Sequence, residues 1–327
     1  MPAEWSTHEA TWMALPPAVY EGRSLQEARR AWLNVANAVR EFEPVKMLVD
    51  PKDTAAAATL AGDEIALIVA DLDDAWARDS GPTFVRRSDG TLGAVDWTFN
   101  GWGTQSWASW QHDDLVARVV AANAGASRVR SAMVNEGGGI EVDGAGTVVI
   151  TESVQRDPGR NPTWSRVDVE RELAQTIGTT RVVWLERGLT GDYEPFGTRG
   201  HVDLLVKFVA PGVALYHDQV NPDHPDHVVS AAIRATLTDA GIEAVPLRAP
   251  ATLTVGSRTC DYSYVNCYVV NGGVVLGTYG DREDTAAVST LRTLWPGRRV
   301  VTVDARALFA LGGGVHCITQ QQPLVEE

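Results

Sequence analysis

What most constrains this chain is a repeat in the order of its elements rather than in its letters. Five amphipathic helical patterns run along it: Leu25, Ala28, Trp32, Val35 and Val39; Leu115 and Val119; Val169, Leu173 and Ile177; Val229, Ile233 and Leu237; and Ala287, Val288, Leu291 and Leu294. A short β-branched run follows each, at 45–49, 129–134, 182–185, 244–247 and 300–303, and reads as a strand because branched side chains suit a pleated surface. Four of these runs lead on to a hairpin signal, Ser88-Asp89-Gly90, Asp143-Gly144, Pro211-Gly212 and Asn271-Gly272, so that turn glycines recur at intervals of about 60 residues. The fifth hairpin lacks one arm: the chain ends soon after a candidate strand at 315–319, while 10–15 offers a spare strand at the other terminus. We therefore expect one domain over 1–327, a ring of five units of helix, strand and hairpin, closed by pairing of the two chain ends.

A ring gives meaning to polar residues far apart in sequence. Asp79, Glu136, His201 with Asp203, and Cys317 each stand at the entrance of a hairpin, at the same place within four different units. Equivalent positions of a ring converge on its axis, so these residues would form one site.

Composition narrows what that site can meet. Asp and Glu number 42 against 28 Lys and Arg, a formal net charge of -14; such a surface repels phosphate backbones and anionic lipid and draws in cations. No nucleic-acid or membrane partner is expected. The three cysteines, Cys260, Cys267 and Cys317, cannot all pair and show no Cys-x-x-Cys spacing, which fits a reducing compartment. The Met1-Pro2-Ala3-Glu4 start has no basic run leading into an apolar stretch, and the longest apolar run, 65–70, falls far below the ~20 residues of a membrane helix. The expectation is a soluble, cytoplasmic protein.

A thiolate is a strong nucleophile whose reactivity is set by neighbouring charges and hydrogen-bond donors. Cys317 follows Gly312-Gly313-Gly314 and His316, a loop permitting close backbone approach, whereas Cys260 and Cys267 read as small buried apolar residues. His201 and Asp203, two apart, would face one side of a strand. Two carboxylates such as Asp79 and Asp203 can grip a planar guanidinium through paired charge-assisted hydrogen bonds, and Glu136 could hold a further amino group or orient His201. His201 suits general acid–base work. The dense aromatic segment Trp97, Phe99, Trp102, Trp107 and Trp110 reads either as cation–π cover for a cationic substrate or as a core patch beneath a loop. His217, His224 and His227 with Asp218, Asp223 and Asp226 match no standard zinc spacing, and read as a solvated turn before a helix. Neither a metal nor a cofactor is expected.

These residues lie within motifs that run the length of the chain: Met1-Pro2-Ala3-Glu4-Trp5, Thr11-Trp12-Met13, the segment from Trp76 through Asp79 to Phe84, Phe99-Asn100-Gly101-Trp102-Gly103, the segment from Asn135 to Asp143, Arg160-Asn161-Pro162, Gly200-His201-Val202-Asp203, Tyr264-Val265-Asn266, Gly280-Asp281, and His316-Cys317-Ile318-Thr319 with Gln320 to Pro323. Together they resemble the agmatine deiminases, within the bacterial peptidyl-arginine-deiminase-type branch of the guanidino-group-modifying superfamily. The resemblance implies an α/β fold, a pseudo-symmetric five-bladed propeller known as the pentein fold, and a homo-oligomer. It implies Cys317 as nucleophile, His201 as acid–base, Glu136 as its carboxylate partner and a guanidinium contact, and Asp79 and Asp203 as guanidinium grips; Trp76, Trp102 and Gly314 are further candidates for substrate contact. The implied reaction is hydrolysis of a guanidino group to a ureido group, agmatine giving N-carbamoylputrescine in polyamine metabolism. Amidino transfer, deimination of peptidyl-arginine or another guanidino compound, and a non-catalytic pentein role remain as alternatives. Two departures bear on the substrate. Family members using agmatine usually carry an acidic residue four positions before the histidine and an Asn after the following Asp, where this chain has Gly197 and Leu204; Asp192 or Glu194 is the expected replacement for the missing charge. The loop before the cysteine also departs, carrying Gly314 and Val315.

Overall fold

Four hairpins form where the turn signals stand, and Gly90, Gly144, Gly212 and Gly272 at their tips all adopt positive φ, between 71° and 82°. In the computed structural model, which describes residues 1–18, 25–251, 254–255 and 258–325, the hairpins join Thr83–Arg86 to Leu92–Thr98, Glu141–Val142 to Thr147–Thr151, Val206–Ala210 to Val213–Asp218, and Tyr268–Val270 to Gly273–Thr278. A helix then crosses over and delivers a third strand parallel to the second arm: Ser127–Val134, Arg181–Leu185, Glu243–Arg248 and Arg299–Asp304 respectively. The crossover helices Val116–Asn123, Arg166–Ile177, Asp226–Asp239 and Asp284–Leu294 bury the faces carrying Val120, Leu173, Ile233 and Leu291. The first of these starts one residue later than its apolar pattern, because Leu115 closes a 3-10 turn and is 40% exposed.

The fifth sheet is assembled from both ends of the chain. His8–Ala14 runs antiparallel to Gln320–Pro323, Trp12 opposite Gln320 and Thr11 opposite Gln321, and parallel to Val45–Val49, which follows the helix Leu25–Val39. The C-terminal strand is thus not the apolar stretch 315–319, whose residues His316–Ile318 form a one-turn 3-10 helix, but a run of three glutamines. Those side chains are buried and each finds partners: Gln320 donates to the Pro82 carbonyl, Gln321 accepts from Arg78, and Gln322 accepts from the Trp12 indole. Polar residues that find such partners can occupy a buried strand, which a propensity reading does not register. A further strand, Ala66–Val69, lies parallel to Val45–Val49; it is the apolar run considered above only for its length. A two-stranded ribbon, Thr254–Val255 with Arg258–Thr259, accompanies the five main sheets. Among the described residues no helix is long and apolar enough to cross a membrane.

Just before the first hairpin arm, four sheets carry a single helical turn: Ala77–Ser80, Gly137–Gly139, Val202–Leu204 and His316–Ile318. Candidate residues lie on these turns or at their starts.

Candidate active site

Asp79, Glu136, His201, Asp203 and Cys317 come together, all less than a tenth exposed. His201 and Asp203 do so by a route unlike the expected strand. His201 precedes the 3-10 turn Val202–Leu204 and Asp203 lies within it, so turn geometry brings the two side chains to one site.

Cys317 Sγ sits 3.4 Å from the Gly314 amide and 3.4 Å from the Asn266 side-chain nitrogen, both of which donate to it, and 3.7 Å from Asp203 Oδ2. Gly314 has to be glycine: a Cβ there would come within 2.3 Å of Asn266 Oδ1. Burial first, then the charges of Asp203 and Asp79, push the Cys317 thiol well above its ordinary value, against the two donors.

His201 stands between carboxylates, Nε2 at 3.3 Å from Glu136 Oε2 and Nδ1 at 3.8 Å from Asp79 Oδ1. Burial alone would favour the neutral ring, but Asp79, Glu136 and Asp203 outweigh it and raise His201 to about 9. Asp79 is raised by burial to about 6, partly offset by His201, while Asp203 and Glu136 push it further up. Its oxygens accept from the Trp102 indole at 2.9 Å and the Gly138 amide at 3.1 Å. Trp102 reaches it from a tight loop in which Asn100 accepts from the Gly103 amide and Trp102 itself holds a positive φ of 55°.

Sequence reasoning placed Arg160 in a motif without giving it a role. Its guanidinium donates to both oxygens of Glu136, at 2.9 and 3.1 Å, with both side chains fully buried. Burial would raise Glu136, but Arg160 and His201 hold it below the usual carboxylate value. Asn266 and His316 were likewise passed over as site residues. His316 Nδ1 meets Asp203 Oδ2 at 2.8 Å, and this hydrogen bond overcomes burial to keep Asp203 below its ordinary value.

Above the thiol opens a cavity of about 360 Å³. Trp76, Trp102 and Cys317 line it together with Trp107 and Phe196, and Asp73 and Asp74 contribute negative charge. The acidic pair belongs to the loop leading into Ala77–Ser80; its signal in the sequence is the Asp71-Leu72-Asp73-Asp74 run upstream of Asp79. Of the aromatic segment, Trp102 and Trp107 face this cavity, stacked with ring centroids 5.2 Å apart, whereas Trp97 is buried in a hydrophobic core.

Asp192 and Glu194 are not where a replacement charge was expected. Asp192 spends its carboxylate inside its own loop, accepting from the Thr198 amide and hydroxyl and from the amides of Gly200 and His201. It thereby holds a segment in which Phe196 and Arg199 take positive φ values of 75° and 68°, conformations costing roughly 1–3 kcal/mol each. Glu194 is exposed, and with Asp192 borders a smaller neighbouring pocket, not the cavity over the thiol. An acidic side chain cannot simply be restored at 197 either, since a Cβ on Gly197 would lie 2.1 Å from the Asp192 carbonyl oxygen. The three histidines of 217–227 turn to separate partners: His217 to Ser263, His224 to Asp226, and His227 to the Gln219 carbonyl.

Five α/β sheets around an axis, with a thiol, an imidazole and carboxylates gathered at their hairpin entrances, make this a pentein of the guanidino-group-modifying class. The chain belongs to the Porphyromonas-type peptidyl-arginine deiminase family, whose model matches residues 1–323. Among its relatives, a Streptomyces avermitilis protein provisionally named agmatine deiminase is 51% identical over 99% of this chain and 96% of its own. An agmatine deiminase of Ectopseudomonas mendocina is 37% identical, covering 99% of this chain and 95% of its own. The solved structure of an agmatine deiminase of Enterococcus faecalis superimposes with a TM-score of 0.94 at 30% identity, over 100% of this chain and 96% of that one.

Proposed function

We propose that this protein hydrolyses the guanidino group of a small cationic substrate, with agmatine the first candidate. The observation that carries the reading is a mismatch within the site: Asp203 Oδ1 is buried without a hydrogen-bond partner, on the carboxylate whose other oxygen lies 3.7 Å from the thiol. Buried polar atoms cost free energy unless paired, and a guanidinium supplies the N–H groups and positive charge that a carboxylate oxygen in this position lacks. A cavity walled by Trp76, Trp102, Trp107 and Phe196 suits a slender free guanidino compound better than an arginine held within a protein chain.

In this reading Asp79 and Asp203 hold the guanidinium over Cys317. Its positive charge offsets the carboxylates that disfavour the thiolate, so the thiol ionises as substrate arrives and its proton leaves to solvent. The sulfur then bonds to the guanidinium carbon. His201, protonated at neutral pH, passes a proton from Nδ1 to one amino group, and the carbon–nitrogen bond breaks to release ammonia. The resulting amidino-thioether is attacked by water, which gives a proton to the now neutral His201. The sulfur–carbon bond breaks, and the remaining proton on the new carbonyl returns to the thiolate, leaving a ureido product and the starting thiol. Glu136, fixed by Arg160, holds His201 through Nε2 so that Nδ1 is the working atom. For a substrate with a distal amine, Asp73 and Asp74, which line the cavity, supply negative charge in place of position 197, Asp73 while also meeting the amide and ring of His112.

The test is ureido formation by the purified protein, with chelator present, from agmatine, arginine, peptidyl-arginine and shorter guanidino acids. Turnover of agmatine well above the others, abolished in Cys317→Ala, is the expected result. Good turnover of a different guanidino compound with little from agmatine would keep the chemistry and replace the substrate. Transfer of the amidino group to an added amine, with little ureido product, would replace hydrolysis by transfer.

A further inference from the structure

Glu4 and His316 are 312 residues apart in sequence, yet Glu4 Oε2 lies 2.7 Å from His316 Nε2. The other ring nitrogen of His316 meets Asp203 Oδ2 at 2.8 Å, and Asp203 Oδ1 is the oxygen left without a partner. Glu4 is itself fixed by different sheets. Its Oε1 accepts from Lys207 Nζ at 2.9 Å and from the Val269 amide at 2.9 Å, and the Arg78 guanidinium stands 3.7 Å from Oε2. Burial would raise the Glu4 carboxyl, but Lys207, His316 and Arg78 hold it well below the usual range. The N-terminal Pro2-Ala3-Glu4-Trp5 segment therefore sends a charged, fully engaged carboxylate beneath the site, a motif that no step of the proposed reaction uses.

A carboxylate presents two equivalent oxygens and turns easily about its last bond; what selects Oδ1 of Asp203 for the substrate is the anchoring of Oδ2. That anchor holds direction only if the His316 ring cannot rotate, and the contact at its far nitrogen prevents rotation. We infer that Glu4 is a positioning residue for the reaction, acting through His316 to fix the direction in which Asp203 offers its free oxygen to the guanidinium. This rests on the guanidino chemistry proposed above.

The experiment uses the full chain and two alkylating probes at pH 7.5. 2-Chloroacetamidine carries a planar amidinium that Asp79 and Asp203 can hold; iodoacetamide is neutral. Each forms a sulfur–carbon bond with Cys317 and expels halide, so the ratio of their rates reports the carboxylate grip without needing the natural substrate. The unaltered protein is expected to react at least tenfold faster with the amidinium probe. In Glu4→Ala, checked for folding by thermal unfolding, that preference falls at least tenfold while the iodoacetamide rate stays within threefold. In an Asp203→Asn background the same change adds less than twofold, because its route runs through Asp203; a merely structural role would damage both backgrounds alike. Should Glu4→Ala fail to fold, Glu4→Asp, which keeps the charge for Lys207 but withdraws it by one methylene, decides the matter with an expected loss of at least threefold. A folded Glu4 variant that retains the preference within twofold, or equal changes with both probes, overturns the proposal. Loss of the preference in a protein whose unaltered form makes no ureido product would uphold the positioning role and discard the deiminase reading.

Discussion

Cys317 Sγ and Asp203 Oδ2 lie 3.7 Å apart in a buried site. Two negative charges at that distance repel strongly where little water screens them, so burial and this carboxylate favour the neutral Cys317 thiol over the thiolate, and in the proposed reaction the same carboxylate draws in the cation that offsets this.

The first expectation concerns that resting state. Because burial, Asp203 and Asp79 raise the Cys317 thiol well above its ordinary value, its alkylation by iodoacetamide in the free protein should be slow at pH 7 and keep rising into the alkaline range. Following inactivation against pH checks this; a rate that levels off below pH 8 would show a resting thiolate instead.

The pH dependence of turnover follows from two groups. Asp79 has to be ionised to grip a cation and is raised to about 6; His201 has to be protonated to release ammonia and is raised to about 9. Because the thiol, held well above its ordinary value, must also lose its proton as substrate binds, the profile of kcat/KM should climb through about pH 6 with Asp79 and go on climbing until His201 begins to lose its proton near pH 9, as apparent values of a coupled set. The His201 shift also bears on stability. Its folded value exceeds the unfolded 6.5, so its charge contributes stability that is complete below about pH 6.5 and lost as pH rises through about 9. Tm should decline between pH 7 and pH 9.5, and this component of the decline should vanish in His201→Asn.

Neutralising either grip should cost binding and turnover together. Asp79→Asn and Asp203→Asn are each expected to lose about 2–5 kcal/mol of transition-state stabilisation, the range for removing one side of a buried charge pair. Steady-state kinetics on the substrate identified above measures it, and near-normal kcat/KM in both variants would remove these residues from the site.

The Arg160–Glu136 pair is completely buried, so breaking it on one side strands a charge. Arg160→Met should destabilise the fold by about 3–5 kcal/mol, read from urea unfolding. Glu136→Gln combined with Arg160→Met should recover part of that stability but not activity, since Glu136 also holds His201.

Position 197 offers a test of how the substrate's far end is met. Gly197→Glu introduces the acidic residue that the family resemblance leads one to expect at this place, yet its Cβ would meet the Asp192 carbonyl oxygen. We expect it to lower kcat/KM at least tenfold for every guanidino compound by displacing the loop that sets His201. Asp74→Asn should raise KM mainly for substrates with a distal amine. A selective gain for agmatine in Gly197→Glu would sink this view of the loop.

The sequence by itself determined the repeat, the turns, and the chemical identity of the central residues. Helical and alternating periodicities are local properties, and positive-φ turns demand glycine at fixed places, so five units could be counted and Asp79, Glu136, His201, Asp203 and Cys317 singled out from their equivalent positions. The strand at the C-terminus was misread because Gln320, Gln321 and Gln322 become suitable strand residues only when Pro82, Arg78 and Trp12, distant in sequence, hydrogen-bond to their side chains. Asp192 was misjudged for a related reason: a carboxylate near a site looks available until backbone amides of its own loop are seen to occupy it. Arg160, Asn266 and the link from Glu4 through His316 to Asp203 were decided by tertiary structure alone. Pairing buried charges depends on distance and desolvation, which arise when five sheets close around one axis and bring residue 4 beside residue 316.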